Sequence, residues 1–482
     1  MTLVQNRLSE LFEHHFGTPP KGIFALAGDG SSRSYWRLSG RTGQTAVGAF
    51  GPDHEENEAF FSFTRSFRGV GLPVPELYRT DPEVGVWLEE DLGDTTLFQA
   101  LVAAREDAAD AFPPSIVRLY RAVVEILPRF QVEGARVIDF GRCYPRAAFD
   151  RRSMLWDLNY FKYHFLKLAQ IPFNEARLEE DFGTLADYLL EVPADGFLYR
   201  DFQSRNVLVQ DGRLGFIDYQ GGRRGPPHYD IASLLYDAKA DMPEAVRQEV
   251  LEHYLAALGR HREVDEEDFR THLRGYVLIR IMQAMGAYGY RGFFERKPRF
   301  LQSVPFAAAN IGRILEEGLP VRVPELERAF RRIVEAWGPG ADRGSGSREG
   351  LVVRIRSFSY KGSYPEDRDG HGGGYVFDCR GLPNPGRHVE YRDRSGLDAD
   401  VVAYLESTPE VEAFWSHVRD LTDAHVGNYL SRGFDHLSVS FGCTGGQHRS
   451  VYFAERLARH LRDRYPDVRV DVRHRERSSW TR

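Results

Sequence analysis

Apolar positions in the opening segment MTLVQNRLSELFEHHFG fall three and four residues apart, which predicts an amphipathic helix. Short strand-like runs follow at Ile23–Leu26, Tyr35–Leu38 and Gln44–Phe50, then a helix around Glu55–Arg68 and a further strand at Val84–Glu89. From Leu97 onward the spacing turns helical, over Ile116–Phe130, Phe182–Leu190, Ala245–Leu258 and Phe269–Ala287, interrupted by a strand-rich patch at Gly196–Tyr219. The pattern predicts a small sheet lobe over about 1–90 and a larger helical lobe over about 94–337, an α+β, two-lobed arrangement. Residues 338–350 read GPGADRGSGSREG, with no apolar side chain beyond alanine, and are expected to form a flexible linker. In 351–482, strands at Val352–Phe358, Gly374–Cys379, His436–Phe441 and Val468–Val472 alternate with helices at Asp398–Leu405, Val411–Tyr429 and Arg449–Arg464. That alternation predicts an α/β domain with a mostly parallel sheet. No internal repeat or heptad array is present in the sequence.

Composition narrows the class. At 482 residues, 42% hydrophobic and 28% charged, the chain is long enough for several globular cores and too apolar to be disordered throughout. Three cysteines, Cys143, Cys379 and Cys443, are too few and too far apart for a disulfide framework or a zinc motif, so a reducing, cytoplasmic setting is expected. The amphipathic start does not read as a signal peptide, and no apolar run reaches membrane-spanning length. A net charge of -7 argues against general nucleic-acid binding. The basic residues are skewed: lysine occurs only at positions 21, 162, 167, 239, 297 and 361, and arginine supplies the rest.

The sharpest chemical signal is Tyr199-Arg200-Asp201-Phe202-Gln203-Ser204-Arg205-Asn206, followed by the apolar run that ends in Ile217-Asp218. Phosphoryl transfer requires a carboxylate beside the acceptor hydroxyl and hard oxygen ligands for magnesium. Asp201 is expected to receive or orient the hydroxyl proton, with Asn206 and Asp218 as metal ligands, so the cofactors expected are ATP and Mg2+. As isolated residues, Asp and Asn equally serve to close turns. Upstream, Gly28, Gly30, Ser31, Ser32 and Arg33 lie between two strands, where small residues let backbone N–H groups approach phosphates, although a hairpin turn has the same composition. Trp87–Gly93, with Glu89 and Asp91, is the candidate hinge for the nucleotide base. Arg200, Asp157, Asn159, Tyr160 and Tyr163 are candidates for the acceptor pocket, and Asp230 for an anchor of the catalytic loop.

The segments LAGDGSSRSYWRL, LEEDLGD, MLWDLNYFKYHFLKL, YRDFQSRN and GFIDYQGGRRGPPHYDIASLL resemble the aminoglycoside-phosphotransferase (APH) family over nearly all of 1–337. Within that family they look most like the AmgK-type anomeric kinases of N-acetylmuramate and N-acetylglucosamine. The resemblance implies a protein-kinase-like fold and phosphorylation of an amino sugar at its anomeric hydroxyl, as in peptidoglycan recycling. One departure from protein kinases stands out: the third strand, Thr45-Ala46-Val47-Gly48-Ala49-Phe50, lacks the lysine that grips the nucleotide phosphates. Arg33 or Arg37, or magnesium and backbone alone, would have to replace it.

In the second part, Phe441-Gly442-Cys443-Thr444-Gly445-Gly446-Gln447-His448-Arg449-Ser450 joins a strand to a helix N-terminus, a setting that suits an anion. Asp378, Arg380 and Asn384 mark a second cluster at another strand end. Both clusters, with Arg473-His474-Arg475, resemble the C-terminal domain of the RapZ family. That resemblance implies a glucosamine-6-phosphate-type ligand at Asp378, Arg380, Asn384, Thr444, Gly445, Gly446, His448, Arg449 and Ser450, with RNA or protein partners in doubt because the nucleotide-binding half of RapZ is missing. Cys443 and Arg449 also match the C-x5-R spacing of cysteine phosphatases, though no general acid is identifiable. The expectation is an amino-sugar kinase with a hexosamine-phosphate-sensing domain. The alternatives are a kinase of another acceptor (aminoglycoside, choline or homoserine) and a non-catalytic regulatory adapter.

Overall fold

The computed structural model describes residues 2–26, 33–107, 112–210, 212–339, 351–365, 374–431 and 434–480. The chain divides into two compact units, Met1–Arg343 and Gly344–Arg482. The residues expected to form the linker lie outside the described ones, apart from Gly338 and Pro339.

The first unit begins with a five-stranded antiparallel sheet: β1 (Gly22–Leu26), β2 (Ser34–Ser39), β3 (Thr45–Phe50), β4 (Leu77–Asp81) and β5 (Val86–Glu89), in the order β1-β2-β3-β5-β4. β5 is buried on both faces, and its pleat sends alternate side chains to two different helices. Val86 and Leu88 join Leu8, Leu11 and Phe12 of the helix Leu3–Phe16. Trp87 turns the other way, onto Phe60 and Phe61 of the helix His54–Gly69, with ring centroids 5.4 Å apart in each case. Both helices start where a side chain can cap them: Thr2 forms a capping box with Gln5, and Asp53 accepts the Glu56 N–H. The expected strand Val84–Glu89 is shortened because Gly85 adopts φ 74°, closing a turn that lets Leu77–Asp81 pair with β5. LYRTD has too little apolar character to announce itself as a strand; β5 supplies its partner.

The helical lobe is organised around the helix Glu266–Gly289, which packs on Arg151–Phe161 and His228–Leu235. Within it lie two nested antiparallel pairs. β6 (Gly196–Leu198) pairs with β9 (Arg223–Gly225), while β7 (Val207–Gln210) and β8 (Arg213–Phe216) form a hairpin between them in sequence. This nesting draws the ends of the 199–222 segment together, placing Asp201 after β6, Asn206 before β7 and Asp218 after β8. The close approach requires glycine at 222, where a Cβ would fall 2.1 Å from the Phe197 ring.

The second unit carries a four-stranded, all-parallel sheet: β10 (Val352–Ser359), β11 (Tyr375–Asp378), β12 (His436–Cys443) and β13 (Arg469–His474), ordered β11-β12-β10-β13. Val353, Ile355, Leu437, Val439 and Phe441 share its core with Trp415 and Val418 from the helix Pro409–Ser431 and with Phe453 and Leu457 from Arg449–Arg464. This is the α/β layer that the strand–helix alternation predicts. Among the described residues no helix is long and apolar enough to cross a membrane.

One buried group yields a pH prediction. His228, at the start of the helix that carries Asp230, stacks on Phe269 at 3.8 Å and Tyr276 at 5.3 Å, and neither ring nitrogen has a hydrogen-bond partner. Burial pushes its pKa down to about 3. The unfolded chain protonates this residue below about pH 6.5 while the fold resists, so its contribution is complete above that value and is lost as pH falls toward 3. Between about pH 7 and about pH 5, wild type should lose roughly 2 kcal/mol more stability than His228→Phe in urea unfolding. Parallel pH profiles for the two proteins would refute this.

Candidate functional site

The site is built outward from Asp230, which is fully buried and accepts hydrogen bonds from the Tyr199 N–H (2.8 Å), the Arg200 N–H (3.0 Å) and the Gln131 amide (3.3 Å). Burial pushes its pKa up to about 7, opposed by these three donors. Arg200 is held at φ 83°, a left-handed conformation costly for any residue with a Cβ, and Asp218 at φ 70°. Asp230 therefore takes the anchoring place expected of it, tying two consecutive amides ahead of Asp201.

Asp201, Asn206 and Asp218 come together. The Asn206 side-chain amide donates both to the Asp201 carbonyl (2.8 Å) and to Asp218 Oδ2 (3.0 Å), while the Ile217 N–H donates to the Asn206 carbonyl. Gln220 donates to Asp218 Oδ1 at 2.8 Å and to Glu56 Oε1 at 3.3 Å. Burial and then repulsion from Asp201 push the Asp218 pKa up to about 6. That electrostatic excess is one a cation relieves, and the oxygens of Asn206 and Asp218 are the hard donors that magnesium accepts alongside phosphates and water. Among the described residues there is no cluster of three His, Cys, Asp or Glu side chains with metal-ligand geometry, so a protein-only cage is absent from them. Gln220 and Glu56 were not singled out in the sequence; the two-residue spacing of Gln220 from Asp218 was the available signal.

On the sheet side, Gly28, Gly30, Ser31 and Ser32 lie outside the described residues. Arg33 is buried over the rings of Trp87 (5.3 Å) and Phe60 (5.6 Å) and pairs with Glu56 at 3.5 Å. Trp87 Nε1 donates to Glu89, whose pKa burial raises to about 7 and the Arg33 charge draws back down. Glu89 thus points into the lobe beside Arg33. Arg37 is committed elsewhere, with a bidentate pair to Asp91 (2.7 and 2.8 Å) and a bond to Asp94 (2.6 Å). Asp91 also accepts the Gly93 N–H, so its carboxylate braces the turn that leaves β5.

Among the residues expected to line the acceptor pocket, Arg200 makes a bidentate pair with Asp157 (2.6 and 2.7 Å) and donates to the Tyr229 hydroxyl (2.9 Å). Asn159 instead donates back to the Leu155 carbonyl, and Tyr160 packs against His164 and Tyr290. Asn159, two positions from Asp157, is turned to the opposite side of the helix, whereas Tyr160, three positions on, lies on the Asp157 side and is engaged by His164 and Tyr290. Tyr163 is exposed beneath Lys162 and Lys167. A residue not foreseen in the sequence, Arg223, is buried against this cluster. Its Nε and Nη2 both donate to the Gly221 carbonyl, and a Cβ on Gly221 would lie 3.9 Å from Asp201 Oδ2. Burial first, then repulsion from Arg200, brings its pKa down to about 10.

In the second unit the two clusters meet at the carboxyl ends of β11 and β12. Arg449 donates to the carbonyls of Arg380 (3.0 Å) and Leu382 (2.7 Å), fastening the 380–382 turn to the helix it begins. Asp378 holds Arg380 in an exposed bidentate pair, with the guanidinium 3.8 Å above the Tyr360 ring. Asn384 and His448 both border Gly386, and His448 Nε2 bonds to the Tyr391 carbonyl. Thr444 and Gly445 are exposed, and Gly446 adopts φ 67° where a Cβ would meet Glu476. Ser450 is buried, its hydroxyl 3.1 Å from the Cys443 thiol, which is itself part of the core.

The family model for the phosphotransferase enzyme family matches residues 23–266, just over half of the chain, and that for the RapZ C-terminal domain matches 351–478. Among curated proteins the chain is similar to a nucleotide-binding protein of Halorhodospira halophila, 43% identical over 138 residues that cover 29% of this chain and 46% of that one. A nucleotide-binding protein of Methylobacillus flagellatus is 42% identical over 125 residues, 26% of this chain and 42% of that one. The chain thus spans less than half the length of these relatives. Among solved structures, choline kinase LicA from Streptococcus pneumoniae aligns with TM-score 0.43 and 16% identity, covering 64% of this chain and 99% of that one. Amicoumacin kinase hAmiN aligns with TM-score 0.45 and 13% identity, covering 69% and 97%. The chain belongs to the phosphotransferase enzyme family, and a segment matching the RapZ C-terminal domain follows its phosphotransferase part.

Proposed function

We propose that the first unit transfers the terminal phosphoryl group of ATP to a hydroxyl of an amino sugar of the N-acetylmuramate or N-acetylglucosamine type, most naturally the anomeric one. The observation that carries the reading is the joined set of Asp201, Asn206 and Asp218 within a matched phosphotransferase segment. In this reading Asp201 accepts or orients the acceptor proton, and Asn206 and Asp218 hold Mg2+, which when bound neutralises phosphate charge. Arg33, the buried cation beside Trp87 and Glu56, takes the task of the missing strand lysine, since Arg37 is spent on the hinge. Arg200 and Asp157 set the floor of the acceptor pocket.

The second unit, in the same reading, binds a hexosamine phosphate of the glucosamine-6-phosphate type at the ends of β11 and β12. Support comes from the matched RapZ C-terminal segment and from the exposed Thr444–Gly445 turn beside Arg380 and Asn384. A cysteine-phosphatase role is disfavoured by the Cys443 thiol being enclosed in the core.

Two experiments test these assignments. With labelled ATP and a panel of N-acetylmuramate, N-acetylglucosamine, other hexosamines, choline and aminoglycosides, phosphorylation should be confined to amino sugars. Asp201→Asn should lower kcat by roughly 100- to 10,000-fold; labelled choline or aminoglycoside alone would replace the acceptor assignment. Titration of the full chain with glucosamine-6-phosphate should show saturable binding that Arg380→Ala weakens by roughly tenfold. Binding unaffected by that change would remove the ligand from this face.

A further inference from the structure

Arg223 stands apart from the other buried cations around the phosphotransfer loop. Arg200 is neutralised by Asp157 and Arg33 by Glu56. Arg223 is only 6% exposed, yet among the described residues no carboxylate lies within ion-pair distance of it; its hydrogen bonds go to one backbone carbonyl, that of Gly221. A guanidinium stays charged at neutral pH, and a buried charge left on a single neutral acceptor is costly. The groups around it do not cancel it. Arg200 repels it, and the nearby Asp157 is already engaged by Arg200. Cys143 is also close, but burial pushes that thiol up to about 12, so it supplies no negative charge. Asp201 is the remaining carboxylate in its field, and the carbonyl that holds Arg223 belongs to the residue bordering Asp201.

The position is also built. β9 is clamped between β6 on one side and the 147–149 segment on the other, through Arg224 N–H to the Ala147 carbonyl and Phe149 N–H to the Arg224 carbonyl. The backbone that carries Arg223 is thus fixed, and its buried guanidinium is held by two hydrogen bonds to the Gly221 carbonyl. A fixed, uncompensated planar cation beside the acceptor-facing carboxylate is what a site for a carboxylate or phosphate requires.

We propose that Arg223 is the anion-recognising residue of the acceptor pocket, so that the acceptor carries a negatively charged carboxylate or phosphate substituent in addition to the hydroxyl that is phosphorylated. This rests on the amino-sugar reading for the scaffold of the acceptor, but not for the charge. It divides the proposed substrates: N-acetylmuramate presents a carboxylate, whereas N-acetylglucosamine presents none.

The test uses the full chain saturated with AMP-PNP and Mg2+, with acceptor binding measured by calorimetry and turnover followed separately with ATP. N-Acetylglucosamine is the neutral reference, N-acetylmuramate the carboxylate arm and N-acetylglucosamine-6-phosphate the phosphate arm. Wild type should bind at least one anionic arm roughly 10- to 100-fold more tightly than the neutral sugar. Arg223→Gln should abolish that ratio by weakening the anionic arm alone, and Arg223→Lys should restore part of it. AMP-PNP binding and the melting temperature report whether each variant is folded. Equal affinity for all three sugars, or absence of binding by any, overturns the proposal. A loss of kcat of the same size for neutral and anionic acceptors in Arg223→Gln also overturns it, because Arg223 would then serve the transferring phosphoryl group. An intact anionic preference in binding without phosphorylation of any sugar would instead refute the amino-sugar kinase reading and leave the anion site in place.

Discussion

The phosphotransfer site hangs on one buried carboxylate. Asp230 reaches from the helix His228–Leu235 into the turn after β6 and accepts two consecutive backbone N–H groups, those of Tyr199 and Arg200. Those amides are buried with the turn, so without Asp230 they would be left unpaired at a cost comparable to the hydrogen bonds lost. The same bonds hold Arg200 at positive φ, with its side chain on Asp157 and Tyr229, while the next residue, Asp201, has its carboxylate beside Gln203 and Gly221. One anchor therefore holds the backbone from which two neighbouring side chains, Arg200 and Asp201, depart. Gln131, which also donates to Asp230, receives the Tyr254 hydroxyl in turn, so the anchor is itself held from the lobe interior.

Charge is distributed around this anchor in an uneven way. A chain of amides, Asn206 and Gln220, links Asp218 to the loop backbone and to Glu56, while Arg33 lies against Glu56 and the aromatic face of Trp87. Arginine suits this place better than lysine, because a flat guanidinium can lie on indole and phenyl rings and reach a carboxylate at the same time. The exit of β5 uses the opposite logic: Arg37 with Asp91 and Asp94 is a closed set that braces it. In the second unit Arg449 is spent on backbone carbonyls and fastens one strand-end turn to the next, while the exposed Arg380 is paired with Asp378.

Much of the architecture was legible because it follows from local periodicity. The sheet-then-helix order of the first unit and the strand–helix alternation of the second are written in apolar spacing, and the trio Asp201, Asn206 and Asp218 is marked by its tight sequence separation. What escaped was of a different kind. β4 has little apolar pattern of its own and exists because β5 offers an edge. Asn159 and Tyr160 looked equivalent to Asp157 as pocket residues, but Asn159 bonds back to its own helix and Tyr160 packs against His164 and Tyr290. Arg33 and Arg37 were interchangeable in sequence, and only the position of Asp91 separated them.

By itself the amino-acid sequence determined the division into two parts, the sheet-then-helix order of the first, the parallel α/β layer of the second, and the grouping of Asp201, Asn206 and Asp218, because periodicity and short-range spacing are encoded within a few residues of one another. The tertiary structure decided which charges are paired. Asp157 and Arg200 are 43 positions apart, Arg33 and Glu56 23, and the isolation of Arg223 is a property of the volume around it. Charge compensation depends on distance in space and on the exclusion of water, and neither quantity is carried by a linear pattern.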